Sequence, residues 1–151
     1  MTTREQASLA LLKLITNAYP WASPPARRIK LWDQVPAAMK PCAFLFEGGR
    51  NPYTWTNLST PNRGYELQLF IYIDCKDPNT VGAVQLNNIH DALDAALVPD
   101  AGFGQEIGAC TLGGLVHSCR IFGEVLKDPG DLDGDGLMLV PFKIVLTSPY
   151  A

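Results

Sequence analysis

The stretch YELQLFIYIDC runs from Tyr65 to Cys75 and alternates along its length. Tyr65, Leu67, Leu69, Ile71, Ile73 and Cys75 fall on one side of an extended chain; Glu66, Gln68 and Asp74 fall on the other. Successive side chains of a β-strand point to opposite faces, so this period of two predicts a strand with one face on a core. Phe70 and Tyr72 sit within the polar set, which predicts that the second face is partly covered too.

Upstream, Cys42 to Phe46 (CAFLF) reads as a shorter strand entering a turn at Gly48 and Gly49. The segment between, RNPYTWTNLSTPNRG, is polar and carries Pro52 and Pro61, so it reads as a long mobile loop. Downstream, TLGGLVHSCRIFGEVLKD and LMLVPFKIVLTS alternate again. Leu115, Cys119, Ile121 and Val125 share one face of the first, and Ser118, Arg120 and Glu124 the other. Met138, Val140, Phe142, Ile144 and Leu146 share a face of the second. Pro141 has no N–H for a ladder, which predicts an edge or a bulge there. The two segments, 115–127 and 137–147, are expected to pair antiparallel around an exposed connection, 128–136.

Two helices frame these strands. Thr3 and Gln6 fit a capping box, and Leu11, Ile15, Ala18 and Tyr19 make an apolar face, predicting a helix over 4–19 that Pro20 ends. Asp77-Pro78-Asn79-Thr80 opens a second helix with Leu86, Ile89, Leu93 and Leu97 as its stripe. His90 lies off that stripe and is expected to be exposed. Residues 20–40 hold Pro20, Pro24, Pro25 and Pro36 and show no period, so they read as an extended connection. The order helix, strand, strand, helix, strand, strand predicts an α+β fold. In it, a mostly antiparallel β-sheet packs against two main helices in a single domain, 1–151.

DLDGDG, Asp131 to Gly136, opens like a calcium-binding EF-hand loop. Counting from Asp131, the twelfth position should be a bidentate Glu, but Phe142 stands there, and both flanks alternate as strands rather than helices. The segment is better read as a hairpin turn of Asp, Gly and Pro. A loose cation site from Asp131, Asp133 and Asp135 stays open, but an acidic contact to a basic partner is the preferred reading.

Net charge is −3, which does not point to nucleic acid as the main partner. Apolar runs such as LMLV are too short for a bilayer, and the N-terminus lacks the features of a secretory signal. The chain therefore reads as soluble and made in a cytoplasm. Cys42, Cys75, Cys110 and Cys119 show no C-x-x-C spacing, so buried free thiols are expected rather than zinc. Residues 1–63 carry eight Lys/Arg and three Asp/Glu; residues 64–151 carry four and twelve. A molecule with a basic and an acidic side can attract copies of itself or a charged partner. His117 and Cys119 alternate on one strand, too far apart to act as base and nucleophile. Gly113 and Gly114 precede a strand rather than a helix N-terminus, which argues against a phosphate site. No catalytic motif is found, so an enzyme is not expected and no cofactor is assigned.

The segments ARRIKLWDQVPAAMKPCAFLFEGG, YELQLFIYI, LNNIHDALDAAL and TLGGLVHSCRIFGEVLKDPGDLDGDGLMLVPFKIVL together resemble the tail terminator proteins of long-tailed bacteriophages, broadly those of the lambda type. The likeness spans about residues 5–147. Its most specific parts are LGGLVHSCRI and DGLMLVPFKIVL. The resemblance implies a virion structural protein of the tail or neck, assembled in the bacterial host cytoplasm. It would form a homo-oligomeric ring, typically a hexamer, that caps the tail tube and ends tail polymerisation. Its partners would be itself, the tail tube protein and a head-completion or connector protein, with no membrane and no direct nucleic-acid readout. Another head–tail neck subunit is the nearest alternative; a small hydrolase or metal-binding domain is a more distant one. The residues expected at contacts are Arg27, Arg28 and Lys30, the aromatics Trp32, Tyr53 and Trp55, and the acids Asp131, Asp133 and Asp135.

Overall fold

The computed structural model describes residues 1–55, 61–102 and 104–146. Two helices, α1 (Arg4–Ala18) and α2 (Gly82–Ala96), accompany six strands. These are β1 (Cys42–Phe46), β2 (Tyr53–Trp55), β3 (Pro61–Asp74), β4 (Ser118–Ile121), β5 (Leu126–Asp128) and β6 (Asp135–Leu146). They form one antiparallel sheet ordered β1-β3-β6-β4, with β2 beside β3 and β5 beside β6. The expected α+β architecture is what the structure shows. Neither helix is long and apolar enough to cross a membrane among the described residues.

β3 and β6 form the spine, paired from Arg63–Leu146 to Asp74–Asp135. Their alternation sets the layers. Leu67, Leu69, Ile71 and Ile73 of β3 and Met138, Val140, Phe142 and Ile144 of β6 all face the main core, almost fully buried. Ala7, Leu11 and Ile15 of α1 and Leu86, Ile89 and Leu93 of α2 cover this face. The capping box forms as expected: Gln6 N donates to Thr3 Oγ1 at 3.1 Å, and Thr3 N to Gln6 Oε1 at 2.9 Å. Helix α2 starts later than expected. Thr80 N donates to Asp77 O and Asn79 N to Asp77 Oδ1, so Asp77–Thr80 is a turn, not a cap. His90 is half-buried rather than exposed.

The 20–40 connection has more structure than its prolines suggest. Ala26 bridges to β1, with Ala26 N donating to Ala43 O and Leu45 N to Ala26 O. Short 3₁₀ turns follow at Trp32–Gln34 and Ala37–Met39. Ile29 and Val35 pack on Phe44, Phe70 and Tyr72, so this segment is what covers the second face of the sheet.

The expected loop 50–64 also departs from expectation. Tyr53–Trp55 pairs with Pro61–Arg63 as a hairpin, β2 to β3, while residues 56–60 lie outside the described residues. Residue 147, the expected end of the last strand, lies outside them too.

The expected 115–127 strand pairs with β6 but is broken into β4 and β5. Ile121 faces Phe142 and Leu126 faces Leu139, so four residues on one strand span two on the other. Gly123 takes φ +103° inside this bulge, a conformation open to glycine. Phe122 N donates to Pro141 O at 3.0 Å. In an antiparallel strand a residue's N–H and C=O point the same way, so Pro141's missing donor falls inside the break. The bulge absorbs what proline cannot supply.

Candidate subunit interface

Fourteen residues of β3 separate the two ends of the molecule, roughly 40 Å of strand at ~3.3 Å per residue. The expected contact residues divide between these ends.

At the start of β3, the β2 hairpin presents Tyr53 and Trp55, 52% and 59% exposed. Arg4 approaches Tyr53 with Nη2 3.0 Å from the hydroxyl and its guanidinium 6.0 Å from the ring centroid, and Arg4 Nε donates to Asn51 Oδ1. Arg50 is exposed beside them. This end is aromatic and basic.

At the far end, the β5–β6 turn carries Asp131, Leu132 and Asp133, all exposed, with Leu132 open on every side. Gly130 N donates to Asp128 Oδ1, Gly134 N to Gly130 O and Asp135 N to Asp133 Oδ1, so the turn is shaped by its own aspartates. Gly134 N–Cα has φ +80°, and a Cβ there would meet the Lys76 backbone. Asp135 differs from its two neighbours. It is half-buried and lies 3.7 Å from Lys40 Nζ, whose side chain is only 4% exposed. It already has a cation within the chain.

Arg27 is committed as well. Its guanidinium holds Glu47 through Nε at 2.7 Å and Nη2 at 2.8 Å, and Glu5 through Nη1 at 2.5 Å and Nη2 at 2.8 Å. Tyr65 Oη donates to Glu47 and lies 2.9 Å from Ser8 Oγ, which makes the buried Ser8 a satisfied member of the network. The network ties α1 to the end of β1 and to β3. Arg28, Lys30 and Trp32 are exposed, with Leu31 between them 60% exposed. Tyr72 Oη donates to Lys30 O at 2.7 Å, which seats this strip over the outer face near the acidic end. The structure thus brings the basic strip and the acidic turn to the same end, and the aromatic hairpin to the other.

Hydrogen bonds from Arg27 hold the Glu47 carboxyl below its ordinary value, against the opposing effect of burial. Arg27 likewise lowers Glu5, and both carboxylates raise Arg27. A depressed folded-state value means stability that is present above the unfolded value, ~4.3, and lost as pH falls through the lower folded one. Glu47→Gln is therefore expected to cost about 1–2 kcal/mol at pH 7, discounted for the partly exposed Arg27. The deficit against wild type should begin to shrink as pH falls below the unfolded value, ~4.3, and close once pH has passed through the lower folded one, where the wild-type carboxyl is protonated as well. Urea unfolding across pH checks this; a deficit constant down to pH 3 would show that the loss is one of packing.

The acidic turn has strands on both flanks, and its twelfth-position residue, Phe142, is buried in the core. Among the described residues no three His, Cys, Asp or Glu stand close enough to hold a metal. Titration calorimetry with calcium is expected to show no binding in the range of sensor sites, ~10⁻⁷–10⁻⁵ M. A stoichiometric heat in that range would contradict this account of the turn.

Other exposed apolar residues belong to the outer face and escape a reading based on charge and aromatic content. Phe46, Phe122 and Leu126 are 37%, 50% and 57% exposed. Lys143 Nζ lies 4.5 Å from the Phe122 ring centroid. Gly49, Arg50, Glu66, Gln68, Phe122 and Pro141 line a groove there. The signal was present in the alternation: Phe46, Phe70 and Leu139 lie opposite the core-facing positions. His117 is half-buried, and burial pushes the four buried cysteine thiols upward.

No family model matches the chain, and no curated protein matches it. Among solved structures it is similar to a chain of a particle described as the virion of a native gene transfer agent. The identity is 11% and the TM-score 0.47, over 90% of this chain and 83% of the other.

Proposed function

We propose that the chain is a virion structural subunit of the phage tail-terminator kind, which assembles into a ring, closes the tail tube and offers its other side to a head-completion or connector protein. It acts by assembly rather than by catalysis. The observation that carries this reading is the polarity of the β3–β6 spine. An exposed aromatic, basic hairpin stands at one end, and an exposed Asp131–Leu132–Asp133 turn at the other. A closed ring needs two different, complementary patches on each subunit. In this reading Arg4, Arg50, Tyr53 and Trp55 of one copy meet Asp131, Leu132 and Asp133 of the next. The sequence resemblance supports the same assignment.

The strip Arg28, Lys30, Leu31 and Trp32 is then left for the tube. Arg28→Glu with Lys30→Glu is expected to leave both fold and ring intact while weakening tube capping, more so at low salt. The test mixes the protein with polymerising tube protein and measures tube length by electron microscopy. Wild type should arrest growth and the double variant should arrest it poorly. Unlimited tube growth in the presence of assembled wild-type rings would favour a different neck subunit.

A further inference from the structure

We propose that Cys110 and Cys119 form a dithiol site that reacts with low-molecular-weight disulfides and closes to an intrachain disulfide. The two residues face each other as an antiparallel bridge, and Cys119 N donates to Cys110 O at 2.7 Å. Directly opposed residues of an antiparallel pair point to the same side and hold their Cα atoms ~5.5 Å apart. That spacing lies inside the ~4.4–6.8 Å a disulfide spans. The other two thiols have no such partner. Cys42 faces Tyr72 on the outer side of the sheet, and Cys75 follows the end of β3.

Both thiols are reduced and buried, yet both line one groove of about 330 Å³ between Leu97, Glu106–Ala109 and Arg120. Cys110 also lines a second cleft, beside α1, so it is the thiol an incoming reagent meets first. Its position is fixed by its neighbour. Asp100 accepts from Thr111 N at 2.5 Å and Thr111 Oγ1 at 2.7 Å through Oδ1, and from Gly113 N at 2.9 Å through Oδ2. Glu106 and Arg120 form an ion pair across the same groove.

The chemistry balances with a disulfide RSSR as oxidant. The Cys110 thiolate attacks one sulfur, breaks the S–S bond and expels RS⁻, leaving a mixed disulfide. The Cys119 thiolate then attacks Cys110 Sγ and expels the second RS⁻. The two thiol protons go to the two RS⁻, so the chain loses two hydrogens and the reagent becomes two RSH. Burial disfavours both thiolates, so the reaction is slow rather than absent. The product fastens the connection between α2 and β4, which holds no helix or strand among the described residues, to the sheet edge.

The test exposes the purified full chain to oxidised glutathione, then alkylates, weighs and maps it. The expected product has lost two hydrogens, carries a 110–119 cross-link, keeps Cys42 and Cys75 alkylated, and reverts with dithiothreitol. Its thermal midpoint should rise. Cys119→Ala should instead accumulate a glutathione adduct on Cys110. Four alkylated cysteines after prolonged exposure, stable adducts on wild type, a cross-link to Cys42 or Cys75, or a lowered midpoint would each overturn the proposal.

Discussion

Replacing Phe142 with Ala is expected to destabilise the folded chain by about 3–5 kcal/mol, the range for emptying a fully buried aromatic site. Phe142 is 1% exposed and stands mid-sheet, opposite Leu67 on β3 and Ile121 on β4. Strands on both sides fix its backbone, so the cavity cannot close by sliding one element. Domains of this size hold ~5–15 kcal/mol in all, so the variant should be near its folding threshold. Equilibrium urea unfolding reads the change directly. A loss under about 1 kcal/mol would mean that the core around β6 is loosely packed and that the register is wrong.

That same residue shows how far the sequence could be read. Phe142 at the twelfth position excluded the calcium loop, and its alternation with Val140 and Ile144 placed it in the core. The period-two runs of β3 and β6 and the Thr3–Gln6 box were legible because each is a local pattern with a local cause. β2 was not, since three residues between Pro52 and an unpatterned segment make no period. The cover over the outer face was hidden for the same reason: Ile29, Leu31, Trp32 and Val35 keep no period, so nothing in the sequence separates the covering Ile29 and Val35 from the exposed Leu31 and Trp32. The bulge at Gly123 could be anticipated from Pro141 but not located on the partner strand.

The contact residues were legible as types and not as roles. Charge alone does not tell Arg27, held by Glu5 and Glu47, from Arg28, which is exposed. Nor does it separate Asp135, beside Lys40, from Asp131 and Asp133. Those partners are distant in sequence, and only the fold brings them together.

Trp55→Ala is expected to dissolve the ring while leaving the subunit folded. Trp55 is 59% exposed on the short β2 strand, so its removal takes little from the core. The few residues that dominate a contact cost about 2 kcal/mol or more when truncated, and tryptophan is enriched among them. That is roughly thirtyfold in affinity at every contact, and a closed ring repeats the loss at each one. Charge contributes differently. If the proposed contact forms, ion pairs of Arg4 or Arg50 with Asp131 or Asp133 would add only ~0–1 kcal/mol each and would set register and encounter rate. Circular dichroism should therefore match wild type, with a sedimentation profile shifted to the monomer. Wild-type rings from Trp55→Ala would move the interface away from the β2 hairpin.

Sedimentation velocity of the purified wild-type protein, with negative-stain imaging of the same sample, tests the ring most directly. The expected result is one discrete oligomeric species that images as a closed ring with rotational symmetry. A monomer at every concentration, or open filaments of indefinite length, would contradict it.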